Sequence, residues 1–298
     1  MIYTEVNYMI KFRYSLFAGS DEFPVHLQYG FHDKSLYVHS HEDFSELVFV
    51  LDGSSEHLVN SKSYSISKGD VFVISNDTEH GFFQPDKMKI CNIMFKPAEV
   101  FANTWDIRQL PGFQALFVLE PHYSQNYSFC SQLKLSDKGF AETDQLIKGL
   151  MTEYNNKPTG WRDSVFSGFI RLCILLSRFY EADRPISENS FLRLADAAAY
   201  IENNFQEHID MNTLAQISGY SERQLIRNFK ETYSATPSEY IANLRIKKAK
   251  HLLGSEDLSI GEIAWSCGFD DQNYFSRFFK KTTGMTPSAY RSLTHMDK

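Results

Sequence analysis

The chain has 298 residues and a net charge of −7 at pH 7, with 43% hydrophobic and 22% charged residues. This composition is ordinary for a soluble globular protein, and the length allows two domains, each with its own core. The four cysteines are scattered without a C-x-x-C pair, which favours a reducing cytoplasm over a disulfide scaffold. No secretion leader opens the sequence, and no apolar run approaches the roughly 20 residues of a membrane span. We expect a cytoplasmic protein without a membrane partner.

The net negative charge of the protein comes from the first part of the chain. Residues 1–189 carry 17 basic and 24 acidic side chains, whereas residues 190–298 carry 13 of each. Residues 223–250 contain seven basic side chains and two acidic ones. Such a local positive patch can attract phosphate groups even though the whole protein is acidic.

The first hundred residues contain short β-rich runs separated by polar turns. The apolar run LVFVL at residues 47–51 ends at Asp52-Gly53. Turns are expected at residues 60–63 and 67–70, and the apolar run VFVI follows the last of them. This spacing predicts a small β-barrel or sandwich.

After residue 140 the pattern changes to helical spacing. Helices are predicted over residues 141–155 and 162–180, and the second has an apolar stripe. The stripe consists of Val165, Phe169, Leu172, Leu176 and Phe179. The polar stretch EADRPISENS at residues 181–190 has no periodicity, so we interpret it as an interdomain linker.

The remainder of the chain is predicted to be helical, and it repeats itself. LAQISGYS at residues 214–221 aligns with IAWSCGFD at residues 263–270, an offset of 49. NFKETYSATPSEYI at residues 228–241 aligns with FFKKTTGMTPSAYR at residues 278–291, an offset of 50. The second copy therefore has one extra residue between these blocks. Two copies of one unit at this distance indicate a tandem structural repeat.

Each copy predicts a short helix, a tight turn and a second helix. Gly219 and Gly268 lie where the chain must turn sharply, since glycine tolerates positive φ. Ser221 in the first copy, and Asp270 or Asp271 in the second, can cap the following helix.

The second helix of each copy has an apolar face and a polar face. Leu225 and Phe229, like Phe275 and Phe279, lie four residues apart and are expected to face inward. The outward positions are Arg223, Ile226, Arg227 and Lys230 in the first copy and Gln272, Asn273, Ser276, Arg277 and Lys280 in the second. We also expect six aromatic side chains in the second copy to be core: Trp265, Phe269, Tyr274, Phe275, Phe278 and Phe279.

Arg, Gln and Asn can form bidentate hydrogen bonds with guanine or adenine in the major groove, where a helix-turn-helix motif places its second helix. One polar stripe alone is more typical of a solvated helix face. Two stripes on the same repeated motif favour DNA reading.

Residues 192–293 resemble the DNA-binding domain of the AraC/XylS family of bacterial regulators. The two turns, the stretch IANLRIKKA at residues 241–249, and GFDDQNYFSRFFKKTTGMTPSAYR carry the resemblance. It implies seven helices, with helix-turn-helix motifs at about residues 211–233 and 260–283 joined by a long helix. By position it implies that all the outward residues except the two lysines read bases. Thr236-Pro237 and Thr286-Pro287 would open helices whose N-termini can hold phosphate.

The N-terminal half contains a second informative stretch, HSHEDFSELVFVLDG at residues 39–53. His39 and His41 are two residues apart, so on a strand they share one face. With Glu46 and His80 they form a plausible ligand set for Zn, Ni, Fe or Mn. The spacing resembles the cupin double motif, although Asp33 stands where the motif has its leading glycine. Residues 41–60 resemble the rhamnose-responsive branch of the AraC/XylS family.

Three interpretations of these four residues stay open. They bind a metal, alone or with an effector; they line a dry sugar pocket; or they are satisfied residues of the barrel interior. An enzyme alternative is a metal-dependent cupin fused to a DNA-binding domain, which requires a metal with an open coordination position. Turnover that depends on metal would distinguish it.

Together these features predict an α+β protein that regulates transcription. We expect a cupin-like effector-sensing domain at residues 1–140, a helical dimerisation segment at 141–180, a linker at 181–190 and an AraC-type DNA-binding domain at 191–298. The alternative for residues 141–180 is packing of the helices against the barrel of their own domain. The resemblance implies a homodimer that binds promoter DNA and a small effector, a sugar, and acts on RNA polymerase, as an activator by family tendency. The function expected is regulation of transcription rather than catalysis.

Overall fold

The structure is a computed structural model that describes residues 10–102, 104, 106–121, 133–182, 190–255 and 258–296. The chain forms two compact units, one on each side of residues 187–188. Residues 183–189 of the predicted linker lie outside the described residues. The first unit combines a sheet with helices and the second is helical, so the predicted α+β class is confirmed. Among the described residues, no helix is long and apolar enough to cross a membrane.

Eight strands in the described part of the first unit form a single sheet. They are β1 Ile10–Phe12, β2 Val25–His32, β3 His39–His41, β4 Ser45–Val59, β5 Lys62–Ser67, β6 Asp70–Ile74, β7 His80–Phe95 and β8 Leu133–Lys134. The main order is β1-β3-β7-β4-β6-β8, while β2 pairs with β7 and β5 pairs with β4. The two long strands β4 and β7 lie side by side at the centre, and β2, β3, β5 and β6 each pair with one of them.

The strand does not end with the apolar run at Asp52-Gly53. Strand β4 continues through these residues, and its pairing with β7 shifts register between Val50 and Asp52 and twice more before Glu56. Gly53 has φ +74, which is the backbone of a bulge and not of a chain reversal. The reversal comes later, where Asn60 and Ser61 both have positive φ and join β4 to β5. Positive φ at two successive residues suits a tight β-hairpin.

The sheet curls around an apolar interior, and we call this structure the barrel. Its interior cluster takes residues from four strands: Val48, Val50, Ile66, Phe72, Ile74, Phe82, Met88 and Ile90. Side chains of a strand alternate between faces, so the residues between these point the other way. On that outer face the Phe95 ring lies 5.2 Å from the Phe169 ring, and the Phe49 ring lies 5.1 Å from that of Phe140.

Five α-helices and a short 3-10 helix, Ile107–Gln109, accompany the barrel in the described part of the first unit. The α-helices are α1 Ser15–Ala18, α2 Pro97–Val100, α3 Pro111–Phe113, α4 Asp137–Asn156 and α5 Trp161–Ala182, with a π-helical stretch Gln114–Leu119 directly after α3. Four members of the predicted apolar stripe of α5 are buried, and Phe179 is partly buried. These side chains therefore contribute to the core of their own unit.

Seven helices make up the described part of the second unit. They are α6 Ser190–Asn204, α7 Met211–Ser218, α8 Glu222–Tyr233, α9 Pro237–Ser255, α10 Ile260–Ser266, α11 Gln272–Thr283 and α12 Pro287–Met296. Gly219 and Gly268 have φ +63 and +88 in the two turns. Ser221 caps α8 and Asp271 caps α11, so the extra residue of the second copy lies in the turn and not in the helix.

A close approach between α3 and α5 gives a test of packing in the first unit. A Cβ on Gly112 would lie 2.0 Å from the Ser177 carbonyl oxygen, so Gly112→Ala should destabilise this unit by about 1–3 kcal/mol. In α4, nothing lies within 4 Å of a Cβ on Gly149, and Gly149→Ala should stabilise the helix by about 0.5–1 kcal/mol.

Urea denaturation of the full chain, followed by tryptophan fluorescence, measures both variants. In a Trp265→Phe background the remaining tryptophans, Trp105 and Trp161, report on the first unit alone. Equal effects of the two alanine substitutions would contradict the packing argument.

Candidate functional site

Three histidines meet at one end of the barrel. His39 and His41 lie on β3, and His39 pairs with His80 at the start of β7. One ring nitrogen from each histidine lies within 4.8 Å of the other two. The Nε2 atoms of His41 and His80 are 3.2 Å apart. We call these three residues the histidine cluster.

Glu46 reaches the histidine cluster from β4. Its Oε1 lies 3.5 Å from His41 Nε2, and its side chain is buried. Burial in an apolar environment raises the pKa of Glu46 to about 8, because the charged carboxylate is the form that loses hydration. The structure thus brings together the four residues predicted from the sequence, with Glu46 in contact with His41.

The histidines are held as neutral imidazoles. Burial lowers the pKa of His41 to about 3 and also lowers the pKa values of His39 and His80. His39 Nδ1 lies 2.9 Å from the Tyr37 carbonyl oxygen, which can only accept. His39 must therefore carry its proton on Nδ1, and its Nε2 keeps a free lone pair.

Two buried nitrogen atoms of the cluster have no such partner. His41 Nδ1 and His80 Nδ1 make no hydrogen bond to any of the described residues. A buried polar atom left in this way costs about 1–3 kcal/mol. Asn92 Oδ1, on β7, is buried and unpartnered in the same sense. Asn92 is two residues from Met94, the partner of Glu46 across the sheet, so both lie on the inner face.

A further buried histidine, His57, was missed by sequence reasoning. Its ring stacks on Phe72 at 4.6 Å and lies 5.0 Å from Phe82 and 5.8 Å from His80. Counted in steps of two from Glu46, position 57 falls on the opposite face of β4. The register shifts in β4 bring it inward, and the only signal in the sequence was Asp52-Gly53.

The spacing of the donor atoms in the cluster bears on its fit to a metal ion. In a tetrahedral zinc site with Zn–N of about 2.0–2.1 Å, neighbouring donor atoms are about 3.3 Å apart. The separations of 3.2 Å from His41 Nε2 to His80 Nε2 and of 3.5 Å to Glu46 Oε1 agree with this spacing. Only His39, among these described histidines, has the Nδ1 acceptor that usually orients a ligating imidazole. The donor set fits a divalent metal. Of the three histidines, one has the hydrogen bond at Nδ1 that would hold its ring in place.

The second candidate site is the outer face of α8 and α11. Leu225 and Phe229, like Phe275 and Phe279, are fully buried. The nine predicted contact residues lie on the opposite side, and all are exposed except Ser276, which is half-buried. That these residues contact bases stays a prediction.

The two faces correspond position by position once the caps are aligned. With an offset of 50, Arg223 matches Asn273, Ile226 matches Ser276, and Arg227 matches Arg277. Lys230 likewise matches Lys280. Gln272 has an acidic counterpart, Glu222, so the second motif presents more side chains that can pair with bases than the first.

Two of the six aromatic residues predicted to be core are exposed. Trp265 is 79% exposed and Tyr274 is 47% exposed, whereas Phe269, Phe275 and Phe279 are buried. Trp265 and Tyr274 lie on the outer faces of α10 and α11. Aromatic content alone therefore overestimated the core of the second motif.

The helices that follow the two motifs begin differently. At α9 the Glu239 carboxylate accepts a hydrogen bond of 2.9 Å from the Thr236 backbone N–H. At α12 the corresponding residue is Ala289, which has no carboxylate. The Thr286 hydroxyl oxygen accepts a hydrogen bond of 3.3 Å from the Ala289 backbone N–H. An acidic side chain at a helix N-terminus competes with phosphate for the same N–H groups. Of the two predicted phosphate sites, the one at Thr286 is the more open.

Comparison with known proteins identifies the family. A helix-turn-helix domain family matches residues 214–292, and a cupin domain family matches residues 25–94. The chain is 30% identical over 258 residues to the HTH-type transcriptional activator RhaR of Salmonella dublin and of Salmonella typhimurium. The match spans 86% of this chain and 87% of each relative.

The chain belongs to the AraC/XylS family. The chain is also similar to a Chromobacterium violaceum transcriptional regulator with an AraC-type DNA-binding domain, at 31% identity over 36% of this chain and 96% of that one, with a TM-score of 0.33. The DNA-binding domain of AdpA, solved with a target DNA, gives 29% identity over 36% of this chain and 96% of that chain, with a TM-score of 0.34. By the two family matches, this AraC-type regulator combines a cupin domain with a helix-turn-helix domain.

The buried histidines of the regulator predict acid sensitivity of the barrel. Burial lowers the pKa of His57 to about 3, so the folded state keeps it neutral while the unfolded chain protonates it below about pH 6.5. Stability from this residue is complete above pH 6.5 and is lost as the pH falls. His57→Phe removes this linkage, and the wild type should lose about 2 kcal/mol more than the variant between pH 7 and pH 5.

Urea denaturation in the Trp265→Phe background at both pH values measures this difference. The raised pKa of Glu46 acts in the opposite direction, but it is present in both proteins and cancels. Parallel pH dependences for the two proteins would show that folding does not lower the pKa of His57.

Proposed function

We propose that the protein is a transcription activator whose promoter binding is controlled by a small polyhydroxylated effector, a sugar, held inside the barrel. The proposal depends on the observation that one chain contains both a polar site inside a cupin domain and two exposed helix-turn-helix faces. The relatives are transcription activators, which supports regulation over catalysis. An effector acts only if it binds two arrangements of the protein unequally.

The chemistry of the barrel interior supports an effector with hydroxyl groups. His41 Nδ1, His80 Nδ1 and Asn92 Oδ1 are buried polar atoms that lack partners among the described residues. A hydroxyl group both donates and accepts, so it can satisfy either kind of atom. The Phe72 and Phe82 rings beside His57 add apolar surface, as in most small-molecule sites. A sugar is also what the resemblance to the rhamnose-responsive branch implies.

A divalent metal is the second ligand that we propose for this site. His39, His41, His80 and Glu46 would hold it, with zinc, nickel, iron or manganese as candidates. Such an ion would supply a Lewis acid that binds an effector oxygen. The residues themselves would orient the effector and exclude water. Turnover of a small substrate that depends on the metal would instead favour a cupin enzyme fused to a DNA-binding domain.

Dimerisation is part of the proposal, with residues 141–180 as the pairing segment. The apolar stripe of α5 is buried within its own unit, so a partner would contact the remaining faces of α4 and α5. Two copies would place four helix-turn-helix motifs on one operator. Adjacent motifs then read half-sites about one helical turn, roughly 34 Å, apart.

The base-reading role of α11 gives a direct test. Arg277→Ala should weaken binding to the preferred duplex by about 1–3 kcal/mol and relax the preference at one base position. Lys280→Ala, one turn further along the same helix, should weaken binding to all sequences alike and reduce the salt dependence of the affinity. Selection of duplexes from a random pool by the full chain, followed by affinity measurements at several salt concentrations, separates the two effects. Unchanged base preference for Arg277→Ala would remove α11 from the proposed reading face.

The barrel ligand is tested by thermal unfolding of the full chain. A ligand at one hundred times its dissociation constant adds about 2.7 kcal/mol, or roughly 5–10 °C for a unit of this size. We expect such a shift with one member of a panel of sugars, and its loss in His80→Gln. The matched control is His251→Gln, which alters an exposed histidine of the second unit.

Chelation separates the two proposed ligands. A sugar shift that survives treatment with a chelator indicates binding by the residues alone. A shift that requires added zinc, nickel, iron or manganese, with about one ion per chain in elemental analysis, indicates a metal site. Absence of any shift with sugars or metals would contradict an effector site in the barrel.

A further inference from the structure

The two helix-turn-helix motifs share the long helix α9. At its start, the Tyr240 ring packs 5.4 Å from the Phe229 ring of the first motif, and its hydroxyl donates to Glu202 at 2.5 Å. At its end, four α9 residues join the core of the second motif: Ile246, Ala249, Leu252 and Leu253. Without another connection, the middle of α9 alone would fix the angle between the motifs.

Arg245 makes a second connection. From the middle of α9 it donates through Nε to the Phe205 carbonyl at 2.6 Å and through Nη2 to the Glu207 carbonyl at 2.8 Å. Both carbonyls lie in the segment that leads from α6 into the first motif. The guanidinium carbon also lies 5.6 Å from the centre of the Phe269 ring, in the turn of the second motif. One side chain thus contacts both the segment that leads into the first motif and the turn of the second motif.

Two further contacts join the same segment to the same turn. Lys248 donates to the Gln206 side chain and, at 3.1 Å, to the Ser266 carbonyl at the end of α10. Gly268 packs directly on the backbone, since a Cβ there would lie 2.3 Å from the Gln206 carbonyl oxygen. Residues 205–207 are therefore held by α9 on one side and by the second turn on the other.

We propose that Arg245, Lys248 and residues 205–207 form a clasp that fixes the rotational phase between the two recognition helices. Arg245 and Lys248 are then positioning residues, although they belong to the basic stretch in which phosphate contacts were expected. Two recognition helices must enter the major groove at a set spacing, and a rigid connection lowers the cost of ordering them on DNA. The clasp makes binding stringent for the distance between half-sites.

The geometry distinguishes this role from a phosphate contact. Two hydrogen bonds to carbonyl groups that diverge from one guanidinium need the planar fork of arginine, which lysine does not provide. A phosphate contact needs mainly the positive charge, which lysine keeps. Losing a phosphate contact lowers the slope of log affinity against log salt by about 0.9, whereas losing a positioning contact leaves that slope unchanged.

The test uses the full chain and a selected duplex that contains both half-sites. We expect Arg245→Ala and Arg245→Lys each to lower affinity about tenfold, with the salt slope and the base preferences of both half-sites unchanged. Inserting or deleting one base pair between the half-sites should weaken the wild type at least tenfold more than either variant. Lys280→Ala, the proposed phosphate contact, is the matched control and should lower the salt slope.

Two results would overturn the clasp. One is rescue by Arg245→Lys with a reduced salt slope for Arg245→Ala, which would make Arg245 a phosphate contact. The other is an unchanged spacing preference in both variants. If circular dichroism shows that Arg245→Ala does not fold, Lys248→Ala provides the milder variant for the same spacing test. The proposal rests on the proposed DNA-binding function, which fails separately if the wild-type chain selects no duplex.

Discussion

Both candidate sites depend on one constraint, which is that an element can present polar side chains only if its other face is buried in apolar contacts. In α11, Phe275 and Phe279 hold the helix against its neighbours, and this leaves Arg277 facing outward. In the barrel the side chains of the histidine cluster point into an otherwise apolar interior. The outer face of the sheet packs on helices through apolar contacts such as Phe95 with Phe169. The imidazoles there keep their place only because the surrounding strands are fixed.

The sequence predicted the parts of the molecule that follow from regular spacing. The tandem repeat, its turn glycines and the faces of α8 and α11 follow from helical periodicity. His39, His41, Glu46 and His80 could be grouped because a short motif fixes their spacing. These features need only local geometry, which a single sequence carries.

The features that sequence reasoning missed depend on contacts between distant residues. His57 was missed because bulges in β4 change which face a residue occupies, and those bulges arise from pairing with β7. Trp265 was assigned to the core because it is aromatic, although its exposure depends on how α10 packs. Arg245 was counted among the basic side chains of a phosphate-attracting patch. Its carbonyl partners could not be foreseen, because they lie 38 and 40 residues earlier in the chain.

The extra residue of the second motif lies before the cap of α11, and this position has a consequence for how such motifs can be recombined. A residue inserted within a helix would turn the following side chains by about 100° and exchange the buried and exposed faces. An insertion in the turn leaves both faces intact, so α8 and α11 remain equivalent cassettes of 12 residues. Ser221 and Asp271 are therefore natural junctions for grafting one recognition helix onto the other motif.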